Sequence, residues 1–199
     1  HLLRKEGGRF SRARLLAREH LVRLFRVNRE IFLRTLCLIF AFATFTAQGA
    51  RLGETILAAN AILMQLQNIL AFGLDGFAHA AEILVGGAVG ARNRVAFRRA
   101  VKTATIWAAG LAIAFSGVLA LAGPGIVGLL PWMIVSPFVS IWAFMLDGVF
   151  IGATRTRAMR NAMFVSVLFY LLAVWTLLPW LGNHGLWLAL ILFLALRGI

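Results

Sequence analysis

Five stretches of this chain run for about 20 residues almost without charge, the length an α-helix needs to cross the hydrocarbon of a bilayer. They cover residues 31–50, 55–74, 103–122, 131–153 and 161–181, and a shorter sixth covers 185–196. Inside lipid a single segment of this kind satisfies its own backbone only as a helix. The composition agrees: 61% of the 199 residues are hydrophobic and 14% charged, against about a quarter charged in soluble domains. The expected fold is an all-α integral membrane protein of six transmembrane helices, near 31–50, 55–88, 98–123, 131–153, 158–181 and 184–199.

A net charge of +13 would point to nucleic acid in a soluble chain. Its distribution points to a bilayer instead. If successive helices alternate in direction, 19 of the 20 Lys and Arg fall on one side, at positions 4–34, 92–102, 155–160 and 197, and only Arg51 falls on the other. That is the positive-inside pattern. It places both ends of the helix set in the cytoplasm and the loops near Arg51, Gly123 and Asn183 outside, with the lipid bilayer as partner and no nucleic acid. Residues 1–30 read as a basic cytoplasmic linker. Within it, residues 9–30 interleave apolar side chains with seven arginines, as in an amphipathic helix on an anionic leaflet. His1 opens an arginine-rich stretch without a signal-peptide core, so the natural start is expected upstream. The single Cys37 has no disulfide partner and is expected to pack.

Polar residues recur at helical spacing. At about 100° per residue, Asn60, Gln67, Asn68, Asp75, His79 and Glu82 fall within roughly 120° of one another on the second helix. Ser136, Ser140, Asp147 and Thr154 fall within roughly 40° on the fourth, where Pro137 should kink the outer end. Such faces belong to a lobe interior or a cleft. The string AFGLDG at 71–76 recurs as AFMLDG at 143–148, a weak sign of an internal repeat. Ala- and Gly-rich residues of the third helix suit close packing, and Trp175, Trp180 and Trp187 suit an outer aromatic belt. Between the third and fourth helices only residues 126–130 remain for a turn, all apolar or glycine. A surface loop there should carry polar groups, so a stretch is expected to be missing, by omission or by deletion.

Asp147 is the sharpest single residue, because a carboxylate inside a spanning helix is costly and marks a pathway by default. Desolvation favours the protonated form of such an acid, which makes Asp147 the first candidate for ion coupling and Asp75 the second. Asp75, His79 and Glu82 could also form a proton relay. A metal site is not expected, since zinc sites usually gather three or four convergent ligands. The sequence contains no nucleotide-binding glycine loop, G-x-S-x-G or H-E-x-x-H string. No cofactor is called for, and the chain reads as a non-enzyme.

The strings LGETILAANAILMQL, LDGFAHAAEILVGGAVGARN, LDGVFIGATRTRAMRN and LPWLGNHGLWLALILFLALRG together resemble the DinF-like branch of the multidrug and toxic compound extrusion (MATE) family over nearly the whole chain. The resemblance implies a C-terminal half of six helices preceded by a cytoplasmic linker. A missing N-terminal lobe would hold the main suspected proton site, an aspartate on its first helix. The implied function is alternating-access antiport across the cytoplasmic membrane, exporting lipophilic, often cationic, compounds in exchange for protons. The family's acid on the tenth helix matches Asp147. Ala41, Phe42 and Ala43 stand where sodium-coupled relatives are expected to carry a glutamate, which favours protons over sodium. Two alternatives of other classes are a non-transporting membrane scaffold or half-transporter, and a membrane-embedded enzyme acting on lipid at Asp75, His79 and Glu82.

The charge asymmetry makes a direct prediction. A reporter cysteine near Asn183 should react with an impermeant maleimide from outside the cell, and exclusive labelling from the cytoplasm would refute the topology.

Overall fold

The computed structural model describes residues 18–122 and 130–197, all in six helices and the short turns between them. Helix α1 spans Arg18–Arg51, α2 Glu54–Gly90, α3 Arg94–Ala122, α4 Leu130–Gly152, α5 Thr156–Leu181 and α6 Asn183–Leu196. The first five are long and apolar enough to cross a membrane. At 14 residues, α6 is shorter than the length of about 20 expected of a full span.

The described residues form six helices, as the apolar stretches imply, and α1 continues back through residue 30 without interruption to Arg18. The part of the linker at 1–17 lies outside the described residues. Residues 126–129 of the expected outer turn also lie outside them, while Leu130 and Pro131 are consecutive residues of α4. Proline is tolerated there because the first turn of a helix has no intrahelical acceptor for its N–H in any case. Helix α4 continues through the buried Pro137.

The helices group as α2, α3 and α4 on one side and α1, α5 and α6 on the other, joined mainly through α4 against α6 and α1 against α2. One apolar core lies among Leu70, Leu74, Ala78, Ala81, Ala104, Ala108, Ala112 and Phe144. The second gathers Phe45, Leu63, Met133, Met163, Tyr170, Trp187, Leu190 and Phe193. Cys37 packs at the edge of this second core. Outward positions are also apolar, among them Ile106, Trp107, Ile113, Leu121, Leu168, Trp175 and Trp180. That is the surface a bilayer requires. Trp187 departs from the expected belt: it is buried against Phe45, edge to face at 5.1 Å, and belongs to the interior.

Close approach of α2 and α4 depends on two glycines one turn apart. A Cβ on Gly148 would overlap the carbonyl oxygen of Ala78, and one on Gly152 would come within 2.5 Å of the Glu82 carbonyl oxygen. Small residues at i and i+4 let helix backbones meet in the absence of a hydrophobic drive between helices in lipid. Four alanines at the same spacing, Ala100, Ala104, Ala108 and Ala112, give α3 its buried face.

Gly148→Ala should therefore lower the thermal stability of the protein in detergent, by about 1–3 kcal/mol as for other overpacked sites. The control is Gly76→Ala, where a Cβ would meet nothing within 4 Å. Equal melting temperatures for the two variants would refute the close contact.

Candidate functional site

Helices α1, α2, α4 and α6 converge on a cavity of about 220 Å³ lined by Arg34, Leu38, Phe42, Gln67, Asn68, Ala71, Asp75, Phe144, Leu194 and Arg197. Asp147 sits behind it. Its carboxylate accepts hydrogen bonds from Arg34 on α1 and, at 2.7 Å, from Arg197 just past α6. Both guanidinium groups donate through Nη2 to the same oxygen, Oδ2. The side chains are 13%, 3% and 10% exposed for Arg34, Arg197 and Asp147. Arg197 also stacks over the Phe144 ring, with Cζ 4.9 Å from its centroid.

Of the ways a carboxylate inside a spanning helix can be stabilised, the structure shows pairing: Asp147 sits in an ion pair with two cations. The sequence holds a signal for this, since Arg34 lies inside the first apolar stretch, although membrane orientation accounts for Arg34 and Arg197 equally well.

Above the triad, toward the Arg51 end, polar contacts continue along α2. Gln67 donates through Nε2 to Ser140 Oγ at 3.2 Å and accepts from Ser136. Ser136 and Ser140 are wholly buried, as their shared face on α4 implied. Further along, Asn60 and Asn183 exchange reciprocal amide hydrogen bonds of 2.8 and 3.0 Å, and the Trp187 indole donates to Asn60 Oδ1 at 2.9 Å. No local sequence pattern ties Asn183 or Trp187 to Asn60. Across the other half of the bundle, the buried Glu30 accepts from Arg160 on α5 and from Arg29 at 2.9 Å.

The remaining candidates are placed differently. Asp75 lines the cavity half-buried, and Asn68 lines it while exposed. His79 is 75% exposed, and its Nδ1 lies 3.5 Å from the half-buried Glu82. Among the described residues no group of three His, Cys, Asp or Glu side chains could hold a metal, so Asp75, His79 and Glu82 do not converge on one centre. Thr154 is not on the polar face of α4. That helix ends at Gly152, and Thr154 stands exposed in the following turn with φ of 56°. The helical projection stops applying where the helix stops.

The MatE family model matches residues 31–176. The chain belongs to the MatE family. DNA damage-inducible protein F of Escherichia coli strain K12 is 44% identical over 191 residues, covering 89% of this chain and 41% of that protein. The chain thus spans about two fifths of the length of the curated relative it matches. No solved structure matches it. The MatE assignment makes this a multi-pass membrane chain from a family of transporters, a class that is generally not enzymatic.

Removing one member of a buried ion pair leaves an uncompensated charge and costs about 3–5 kcal/mol. Asp147→Asn, which leaves Arg34 and Arg197 without their shared carboxylate, should destabilise the protein strongly, Arg197→Gln less, because the Arg34–Asp147 pair remains, and the double variant by clearly less than the sum of the two. Strict additivity in a double-mutant cycle of melting free energies would show that the pair is not coupled.

Proposed function

We propose that this chain is the C-terminal half of an antiporter that exports lipophilic, often cationic, compounds in exchange for protons by alternating access. Its ends lie in the cytoplasm of a cell whose inner membrane it spans, residues 1–30 link it to an N-terminal half, and residues 31–199 form the lobe. The observation that carries this reading is the charged cavity at the meeting of four helices in a MatE lobe. Intramembrane charges that face a cavity mark ion and substrate pathways, and secondary transporters place such sites between helices near the bilayer midplane.

The size of the cavity supports a two-lobe mechanism. Drug-sized ligands occupy about 300–1,000 Å³, and the charged cavity measures about 220 Å³. A second lobe would supply the rest of the wall. Within this lobe, Asp75 and Asp147 divide the work: Asp147 is fixed by two arginines, while Asp75 lines the cavity with no ion-pair partner among the described residues. Asp75 is thus the group free to load and release a proton, and Asp147 orders the helices around it. Gln67, Asn68, Ser136 and Ser140 provide the neutral polar lining, and the cation is proposed to be a proton before sodium.

The test is efflux of a lipophilic cation from liposomes containing the full-length protein, driven by an imposed proton gradient. Asp75→Asn should abolish the response to the gradient, and Asp147→Asn should reduce efflux at least tenfold. Undiminished gradient-driven efflux in both variants would remove these acids from the mechanism, and efflux lacking in the unmodified protein would favour a non-transporting role.

A further inference from the structure

We propose that Arg34 and Arg197 form a binding site for one monovalent anion of carboxylate or halide size, beside Asp147 in the α1, α2, α4 and α6 cavity. Charge and hydrogen-bond balance call for such an ion whether or not the chain exports cations.

Two guanidinium groups share a single carboxylate oxygen, so neither makes the two parallel hydrogen bonds that an arginine fork offers a carboxylate. The Nε atoms of Arg34 and Arg197 are both buried and both without a hydrogen-bond partner. A buried donor on a charged group is costly when unmatched. The triad also carries two positive charges against one negative. A second negative charge would balance it.

The space for that charge is present. Arg34 and Arg197 both line the cavity, together with the Gln67 and Asn68 amides, which can donate to an anion. At about 220 Å³ it exceeds the ~30 Å³ that one water molecule occupies in the liquid several-fold. Leu38, Phe42, Phe144 and Leu194 give it apolar walls, so it suits a weakly hydrated ion or an acid carried on an apolar tail. The charged groups around it are Arg34 from α1, Asp75 from α2, Asp147 from α4 and Arg197 beyond α6. Asp75 is the internal competitor, because its own charge would serve the same balance.

The competition makes the site testable in the full-length protein purified in detergent. Melting temperature is followed while chloride, acetate or decanoate replaces isethionate, a sulfonate, at constant ionic strength. Chloride or carboxylate should raise it saturably. Arg197→Gln should abolish the rise. Asp147→Asn and Asp75→Asn should each move the midpoint to at least tenfold lower anion concentration, since an added anion takes the place of the lost carboxylate. Chloride acting alone assigns an inorganic ion, whereas decanoate acting at much lower concentration assigns the head of an amphiphile. Indifference to anion identity in the unmodified protein and in Asp75→Asn would overturn the proposal, as would an unchanged midpoint in Arg197→Gln. The Asp75→Asn arm holds even if Asp147→Asn does not fold.

Discussion

The lobe turns on one shared carboxylate. Asp147 could not sit alone in the interior of a membrane bundle, and neither could Arg34 or Arg197. Together they tie α4 to α1 and to the end of α6, and so bridge the two groups of helices. The arrangement constrains sequence at three distant points of the chain. It also constrains motion, because any movement of α1 against α4 must break a charged contact or carry both helices as one body.

Backbone contact places the other polar groups. Gln67 reaches Ser136 and Ser140 because α2 and α4 lie close, and their approach nearer the basic end rests on Gly148 and Gly152. Buried amides and hydroxyls are stable only when matched, and here each match also fixes the register of one helix on its neighbour. The Asn60, Asn183 and Trp187 cluster does the same between α2 and α6 near the turn at Gly182. Two polar clusters at two depths thus align α2 with α4 and α6, where apolar packing alone would allow sliding.

The sequence revealed the helices because apolar length and helical period are local properties. It also revealed Asn60, Gln67, Ser136, Ser140 and Asp147 as inward-facing, since a polar residue at helical spacing in an apolar run has few other places to go. What it concealed was pairing. Arg34 lies 113 residues from Asp147, and a positive charge near a helix end is explained equally well by membrane orientation. Trp187 was misplaced for a related reason: a tryptophan near the end of a span fits an interfacial belt by composition, and only the facing Asn60 draws it inward. Thr154 falls off the polar face of α4 because a projection has no knowledge of where the helix ends.

The exposed side of α2 mixes apolar and polar side chains. Ile62, Ile69, Phe72, Ile83 and Leu84 point outward from this helix and suit lipid or another apolar surface. Asn68 and His79 are exposed on the same helix, with Asp75 half-buried between them in sequence. A face of that mixed kind is poorly served by hydrocarbon, which leaves amides and imidazoles unmatched, and poorly served by water, which leaves the isoleucines and phenylalanine uncovered. A cleft between two lobes offers both environments, with water and substrate on one side and protein on the other. The mixed face of α2 and the small charged cavity behind it fit the proposed antiporter, in which this chain supplies the charges and an N-terminal half would complete the wall.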